Sequence, residues 1–137
     1  MLEWHWQAFS DGAEPGQRAV WLDRLRRRCT SDTIPFTLAA RVGHEPVGCV
    51  TVCEDDADAR CPDGGPWLSG MVVIPRARNL GVGRALLAAA ADRARELGAR
   101  ELWLHTSEAA RFYQRCGYRL VREKHGLDDD AVLAIGL

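Results

Sequence analysis

The chain has 137 residues, of which 47% are hydrophobic and 27% are charged, and its formal net charge is -1. This length suits one domain, which can bury a hydrophobic core without a disulfide or a metal to stabilise it. The near-zero net charge gives no general attraction for nucleic acid or for an anionic membrane, so neither is expected as a partner.

The five cysteines argue against a disulfide framework and against a zinc site, because their number is odd and no Cys-x-x-Cys pair occurs. The N-terminal residues lack the basic start and the apolar run of a signal peptide. No apolar stretch reaches the length of about 20 residues that crosses a bilayer. Together these features predict a cytoplasmic protein with no metal site.

The first half of the chain shows strand and helix patterns. The aromatic-rich residues 2–9 suggest a first strand, and apolar residues at helical spacing predict a helix over 15–29. Strand patterns at 36–42 and 46–53 flank residues 43–45, whose sequence Gly-His-Glu is typical of a hairpin turn.

The middle of the chain contains a loop, two strands and the strongest helix pattern. Residues 54–66 are polar and rich in Gly and Pro, which predicts a loop. Strands are expected at 67–74 and 101–106, with a helix between them that Gly98 ends. The apolar stripe of this helix consists of Val82, Leu86, Ala90, Ala94 and Leu97.

The C-terminal part predicts a short helix and a closing pair of strands. Ser107 is expected to cap a helix through Cys116, which Gly117 ends. Residues 118–123 and 131–135 have the pattern of two paired strands. The element order is therefore β-α-β-β-β-α-β-α-β-β, which predicts a single α/β domain over the whole chain with a mixed β-sheet flanked by helices.

A turn with two closely spaced glycines, Gly81 and Gly83, connects the strand at 67–74 to its helix. Glycines at a helix start let the backbone approach a ligand closely. The free N–H groups of the first helical turn and the helix dipole favour an anion there, and Arg78 and Arg84 add positive charge at the rim. The turn predicts a phosphate-binding site, with a purely structural tight turn as the alternative.

Two common phosphate motifs are excluded. No Gly-Lys-Ser/Thr sequence occurs, so the turn is not a P-loop, and the third glycine of the dinucleotide fingerprint is missing. The residues resemble instead the GNAT superfamily of N-acetyltransferases. That family carries an R/Q-x-x-G-x-G/A turn, usually after V-x-P, and the matching segments here are residues 73–75 and 78–83.

A second block strengthens this resemblance. The family pattern is a strand with L-x-T, a short helix, and then F-Y-x-x-x-G-[FYW], which matches residues 104–106, 112–113 and 117–118. Two blocks in the family's order are far more specific than either block alone. The resemblance implies the GNAT fold, in which the mixed sheet is splayed at its centre, and implies acetyl-CoA as the acetyl donor.

The resemblance also implies where acetyl-CoA binds. The backbone amides of residues 80–85 would hold the pyrophosphate, and the strand edge at 71–73 would pair with pantetheine and polarise the thioester carbonyl. Gly70 would mark a bulge or bend that starts the splay. The expected cofactor-binding residues are Met71, Val72, Val73, Arg78, Asn79, Leu80, Gly81, Val82, Gly83, Arg84, Ala85 and Phe112.

One catalytic residue is implied by the family pattern. Tyr113 corresponds to the family tyrosine near the CoA sulfur, so it is the expected acid that protonates or hydrogen-bonds the departing thiolate. The alternative is that Tyr113 and its neighbour Phe112 only pack the short helix against the sheet.

The base is left open by the sequence. Many relatives place a carboxylate on the strand that corresponds to residues 67–71, and none is present here. The candidates are Ser69 acting through an ordered water, Glu54 or Asp55 in the preceding loop, and His105, whose ordinary pKa range suits proton relay. A packed, hydrogen-bonded histidine is the alternative for His105.

The acceptor is left open as well. Acidic residues at 54–58 and 128–130 would attract a cationic amine, whereas the arginines at 24–28 would suit an acidic acceptor. We expect transfer to a primary amine of a small molecule or peptide by direct attack, in a monomer or homodimer. The competing interpretation is a non-catalytic acyl-CoA sensor or regulatory module.

Overall fold

The computed structural model of the protein describes residues 6–7, 16–28, 32–54, 64–125 and 130–137. Within these ranges the strands are β1 (Phe36–Val42), β2 (Glu45–Cys53), β3 (Trp67–Val73), β4 (Glu101–Thr106), β5 (Arg119–Arg122) and β6 (Ala131–Gly136). The helices are α1 (Gln17–Arg28), α2 (Val82–Glu96) and α3 (Ala110–Arg115), and a 3-10 turn covers Pro75–Ala77.

The six strands form one mixed sheet in the order β1-β2-β3-β4-β6-β5. All neighbouring pairs are antiparallel except the central pair, β3 and β4, which is parallel. A parallel pair needs a crossover connection, and α2 supplies it here. The predicted α/β domain with a mixed sheet flanked by helices is confirmed.

The sheet has two different faces. One face, the helix face, packs against α2 and α3 and contains the main core; its largest fully buried residues include Leu102, Leu104 and Leu133. From α2, the buried residues of the predicted stripe are Leu86, Ala90 and Ala94, with Leu87 beside them. The opposite face, the tryptophan face, has a smaller cluster made of Cys53, Trp67, Trp103 and Val132.

The central strands separate soon after they meet. Over their described lengths, β3 and β4 are bridged at one pair of residues, Trp67 and Trp103. The Trp103 amide also donates to the Pro66 carbonyl, with N···O 2.9 Å. Beyond this point the two strands diverge, so the centrally splayed sheet that the family resemblance implied is confirmed.

A bulge in β3 lies just beyond the point of separation. The register between β2 and β3 changes by one residue between Cys49 and Thr51, so Gly70 and Met71 together oppose Val50. Gly70 has φ 57°, a left-handed conformation that glycine adopts without steric cost. Of the predicted bulge or bend at Gly70, the structure shows a bulge, and it lies beyond the residues where the splay begins.

Two sequence predictions need correction. Trp6 and Gln7, the described part of the first predicted strand, are helical, and the other residues of 2–9 lie outside the described residues. Ser107 does not cap α3, because the helix begins at Ala110 without a side-chain cap. The hydroxyl of Thr106 accepts the Ala109 amide instead, at 3.0 Å, since this residue ends β4 one position earlier.

Candidate functional site

The start of α2 leaves backbone N–H groups without an acceptor in the helix. Gly81 is the N-cap residue, with φ 82°, and no side chain caps this end. The first helical hydrogen bond runs from the Ala85 amide to the Gly81 carbonyl, with N···O 3.0 Å. The amides of residues 82–84 therefore lack an intrahelical acceptor at the positive end of the helix dipole, which favours an anion. The Ala85 amide is already bonded within the helix, and the part of Ala85 in donor binding stays a prediction.

The predicted arginines lie at the rim of this turn, and both are exposed. The Nε of Arg78 donates to the carbonyl of Val73 at 3.0 Å, which connects the turn to the end of β3. Asn79 adopts φ 61°, and Leu80 is 74% exposed at the outer side of the turn. Arg78 thus has a structural role in addition to its charge, and Arg84 lies in the first turn of the helix.

The two glycines of the turn are required for different reasons. Gly81 lies in open space, and its left-handed conformation is what restricts the position. At Gly83, an added Cβ would lie 3.1 Å from Cε of Met71 and 3.2 Å from Cζ of Phe112. The lack of a side chain at Gly83 therefore lets α2 approach β3 and α3, a packing reason that the sequence did not reveal.

The bulge brings Met71 onto the helix face, next to Tyr113. Leu68 and Met71 both pack against the main core. In a regular strand, two side chains three positions apart would point to opposite faces of the sheet. The hydroxyl of Tyr113 donates to the Sδ of Met71 at 3.8 Å. The structure thus brings Met71, Gly83, Phe112 and Tyr113 together at one place, where β3 leaves β4.

Tyr113 is surrounded by aromatic rings. Its ring centroid lies 5.1 Å from that of Phe112 and 5.9 Å from that of Tyr118, both in edge-on arrangements. Burial, and to a smaller extent the nearby Cys116 thiol, raises the pKa of Tyr113 to about 12. The phenol is therefore neutral at physiological pH and keeps a proton that it can donate.

The backbone of β3 faces the splay at alternate residues. The Ile74 amide donates to the Val47 carbonyl of β2 at 3.0 Å. Since hydrogen-bonding direction alternates along an antiparallel strand, Val73 directs its backbone groups towards the splay, and Val72, opposite Cys49, directs its own towards β2. Of the predicted strand edge, Val73 and Met71 therefore present their backbone groups to the splay, whereas Val72 does not. The Val73 carbonyl already accepts a hydrogen bond from Arg78.

His105 lies on the tryptophan face. Its Nδ1 is 2.6 Å from Oδ2 of Asp130, and both side chains are partly buried, at 20% and 32% exposure. The imidazole also contacts the Trp67 indole edge-on, with ring centroids 6.4 Å apart. His105 is therefore a hydrogen-bonded and packed residue that still lies beside the central opening of the sheet.

The other candidate bases are placed differently. Ser69 is paired with Thr51 and is the second residue beyond Trp67, which places it on the same face as that tryptophan. Glu54 directly follows β2 and is exposed. Asp55 lies outside the described residues. The structure thus places Ser69 and His105 on one face of the sheet and Tyr113 on the other.

Sequence reasoning missed two members of the site. Asp130 was visible only as part of an acidic run, and its contact with His105 depends on the pairing of β4 with β6. The side chain of Met71 was missed because a regular strand would point it away from α3. The glycine before it, in a strand that is otherwise apolar, is the signal that indicates the bulge.

The Acetyltransferase (GNAT) family profile matches residues 1–118 of the chain. The chain belongs to the GNAT acetyltransferase family. The protein is therefore an acyltransferase, with acetyl-CoA as the donor that fits this family. No curated protein sequence matches the chain.

Solved structures show the same fold. An aminoglycoside 6′-N-acetyltransferase in complex with coenzyme A superposes with a TM-score of 0.77 at 14% identity, over 98% of this chain and 87% of that chain. The GNAT domain of PAT from S. lividans gives 0.70 at 24% identity, over 87% and 69%. N-acetylglutamate synthase from Neisseria gonorrhoeae, with coenzyme A and L-arginine, gives 0.59 at 20% identity, over 74% of this chain and 24% of that longer chain.

The described part of the chain has neither a metal-binding cluster nor a helix that could span a membrane. No group of three or more His, Cys, Asp or Glu side chains in that part could hold a metal ion. No helix there combines the length and the hydrophobicity needed to cross a membrane.

Proposed function

We propose that the protein transfers the acetyl group of acetyl-CoA to a primary amine of a small molecule or peptide by direct attack. The observation that carries this proposal is the convergence of the uncapped start of α2 with the contact between Met71 and Tyr113, at the place where β3 and β4 separate. The uncapped helix start would suit the phosphates of a thioester donor. The open strand edge and the neutral phenol beside it would suit its thioester end.

The donor would be held mainly by the backbone. The amides of residues 80–84 would bind the pyrophosphate, with Arg78 and Arg84 contributing charge at the rim. The open edge of β3 at Met71 and Val73 would pair with the pantetheine arm, and an amide there would polarise the thioester carbonyl. We refer to residues 70–73 and 78–84 together with Tyr113 as the donor side.

Tyr113 would act on the departing sulfur. Its raised pKa, about 12, means that the hydroxyl remains protonated and can donate a hydrogen bond or a proton to the thiolate. In the structure the same hydroxyl donates to the sulfur of Met71, a residue of the open edge of β3. Phe112 would support this arrangement by packing.

The acceptor class is part of the proposal. A cationic amine would be favoured by acidic side chains such as Asp130 on the tryptophan face. The amine class to be tested includes aminoglycosides, which the name of one similar enzyme gives, and amino acids such as the L-arginine bound in another similar structure. An acidic acceptor is the alternative suggested by the exposed Arg24, Arg26 and Arg27 of α1. We also propose a cytoplasmic monomer or homodimer, which fractionation and light scattering would test.

The test of the function is a pair of measurements on the purified protein. Titration calorimetry should show binding of acetyl-CoA, and thiol release should be observed with a panel that contains spermidine, kanamycin, lysine and peptides with acidic or basic N-terminal residues. An acyl-CoA sensor would bind without releasing thiol. Lack of any affinity for acetyl-CoA would overturn both interpretations and leave a structural turn.

A further inference from the structure

The pairing of β4 with β6 brings His105 and Asp130 together. His105 is opposite Val132, and Thr106 is opposite Ala131, so Asp130 stands at the entrance of β6 just beyond the end of the ladder. From there its Oδ2 lies 2.6 Å from Nδ1 of His105, a short distance for a hydrogen bond between a ring nitrogen and a carboxylate. The two residues are 25 positions apart in sequence.

The imidazole is held in place from a second direction. The Trp67 indole contacts it edge-on at 64°, and this indole is 1% exposed and fixed by a bond from its Nε1 to the Gly64 carbonyl at 3.0 Å. A ring that is both hydrogen-bonded and packed keeps one orientation. The ring is nevertheless partly accessible, at 20% exposure of the side chain.

The position of His105 relative to the splay follows from the strand register. Trp67 and Trp103 form the bridge between β3 and β4, and Ser69 and His105 are each two residues further along. Because side chains alternate along a strand, these two residues flank the opening on the tryptophan face. The contact between Met71 and Tyr113 lies on the helix face of the same opening, because the bulge turns Met71 over.

We propose that Asp130 is a positioning residue that orients His105 as the proton acceptor for the attacking amine. This inference rests on the proposed acetyl transfer. Asp130 accepts a hydrogen bond from Nδ1–H, which fixes the neutral imidazole as the tautomer whose basic lone pair is on Nε2, and its carboxylate stabilises the imidazolium that forms. The pair supplies the base that the β3 sequence lacks.

The proton transfers balance in the following way. As the amine nitrogen bonds to the acetyl carbon, one N–H bond breaks and its proton goes to Nε2 of His105. The carbon–sulfur bond breaks, and the sulfur leaves with that electron pair and takes a proton from the Tyr113 hydroxyl. His105 releases its proton to solvent, and Tyr113 recovers one from solvent, so the enzyme returns to its starting state.

Substitutions at both residues test this assignment by kinetics, with the amine from the panel that the wild-type protein acetylates fastest. We expect His105→Gln to lower kcat by about 100-fold or more and Asp130→Asn to lower it by about 10- to 100-fold. Asp130→Glu should restore part of the loss. The KM for acetyl-CoA should not change, because the turn at 78–84 lies elsewhere.

The matched control is Glu101→Gln. Glu101 is a carboxylate of β4, bonded to Trp103 at 3.2 Å and to Arg119 at 2.9 Å rather than to His105. The Glu101→Gln variant should keep kcat within about 2-fold of the wild-type value, because the loss of this charge does not affect the imidazole of His105. Equal kcat in Asp130→Asn and the wild type, with chemistry rate-limiting, would overturn the role of Asp130.

A spectroscopic measurement tests the positioning without any turnover. Long-range proton–nitrogen NMR spectra of the neutral imidazole should show the proton on Nδ1 in the wild type and a shift towards the Nε2-protonated tautomer in Asp130→Asn. A wild-type spectrum with the proton on Nε2 would overturn the proposal. If the wild-type protein releases no thiol with any amine, the acetyl transfer itself fails and the catalytic role of His105 fails with it. Normal wild-type turnover with unaffected variants overturns only the His105–Asp130 assignment.

Discussion

We refer to Ser69, His105 and Asp130 as the acceptor side. The donor side and the acceptor side are each stabilised by a different kind of interaction. The donor side relies on backbone conformation: a left-handed Gly70, a left-handed Gly81 and uncapped amides at the start of α2. The acceptor side relies on a hydrogen bond between the side chains of His105 in β4 and Asp130 just before β6.

This difference affects what each side tolerates. A backbone site recognises charge and shape through groups that every residue carries, so it depends on a few glycines and changes little with other substitutions. A side-chain pair depends on both partners. A partly buried side chain whose partner is removed is left in the wrong tautomer or orientation. We therefore expect substitutions in the turn at 78–84 to affect acetyl-CoA binding, and substitutions of Tyr113 or of the acceptor side to affect kcat.

The largest effect is expected from Gly83→Asp. The new side chain would press on Met71 and Phe112, which lie within 3.2 Å of its Cβ, and it would add a negative charge at the helix start that we propose for the pyrophosphate. The Kd for acetyl-CoA should rise by at least about 100-fold, which corresponds to the loss of one or two charge-assisted hydrogen bonds. Titration calorimetry on the folded variant provides the measurement.

Two further variants separate charge from packing at this position. Ala88→Asp adds the same charge to the exposed side of α2 and should bind acetyl-CoA like the wild type. Gly83→Ala adds only the Cβ and should give an intermediate affinity. Unchanged affinity in a folded Gly83→Asp protein would show that acetyl-CoA does not bind at this turn.

Tyr113→Phe should have the next largest effect. Its kcat should fall by about 10- to 1000-fold, the range for one acid or hydrogen-bond donor, while the Kd for acetyl-CoA hardly changes because the ring packing remains. Since the pKa is raised to about 12, the hydroxyl stays protonated as pH rises, and the wild-type rate should show no loss from its ionisation below about pH 11. Steady-state kinetics across pH 7–11 measure both effects.

Tyr118→Phe is the matched control. Tyr118 is also buried, its pKa is also raised by burial, and its hydroxyl has no hydrogen-bond partner among the described residues. Removing that hydroxyl should leave kcat unchanged and should not destabilise the fold. If Tyr113→Phe turns over at the wild-type rate with chemistry rate-limiting, Tyr113 is a packing residue like Tyr118.

The smallest effect is expected from Gly70→Ala, which tests the bulge. At φ 57° an alanine costs about 1–2 kcal/mol in unfolding free energy. Gly43→Ala, at φ 59° in the exposed β1–β2 turn, should cost a similar amount. Only Gly70→Ala should also lower kcat/KM, by about 10- to 100-fold, because the bulge places Met71 beside Tyr113. Equal kcat/KM in the two variants would show that the bulge does not matter for transfer.

Sequence patterns were most informative where neighbouring residues decide the structure. The apolar stripe of α2, the glycine after it and the paired strands β1 and β2 are local features, and their positions agree closely with the prediction. The predicted cap of α3 was wrong because Thr106 and Ser107 both carry a hydroxyl that could accept a hydrogen bond from the following backbone. Their difference is set by where β4 ends, which depends on its pairing with β6.

By itself, the sequence determined the family, the mixed sheet, the glycine turn and the bulge at Gly70, since each depends on local backbone preference or on a short pattern of residues. The tertiary structure decided which side chains meet. Gly83 is small because Met71 and Phe112 approach it, and His105 is paired because β6 begins beside it. Contacts between residues distant in sequence depend on strand register and on one bulge, and a one-residue change in register moves every side chain to the opposite face of the sheet.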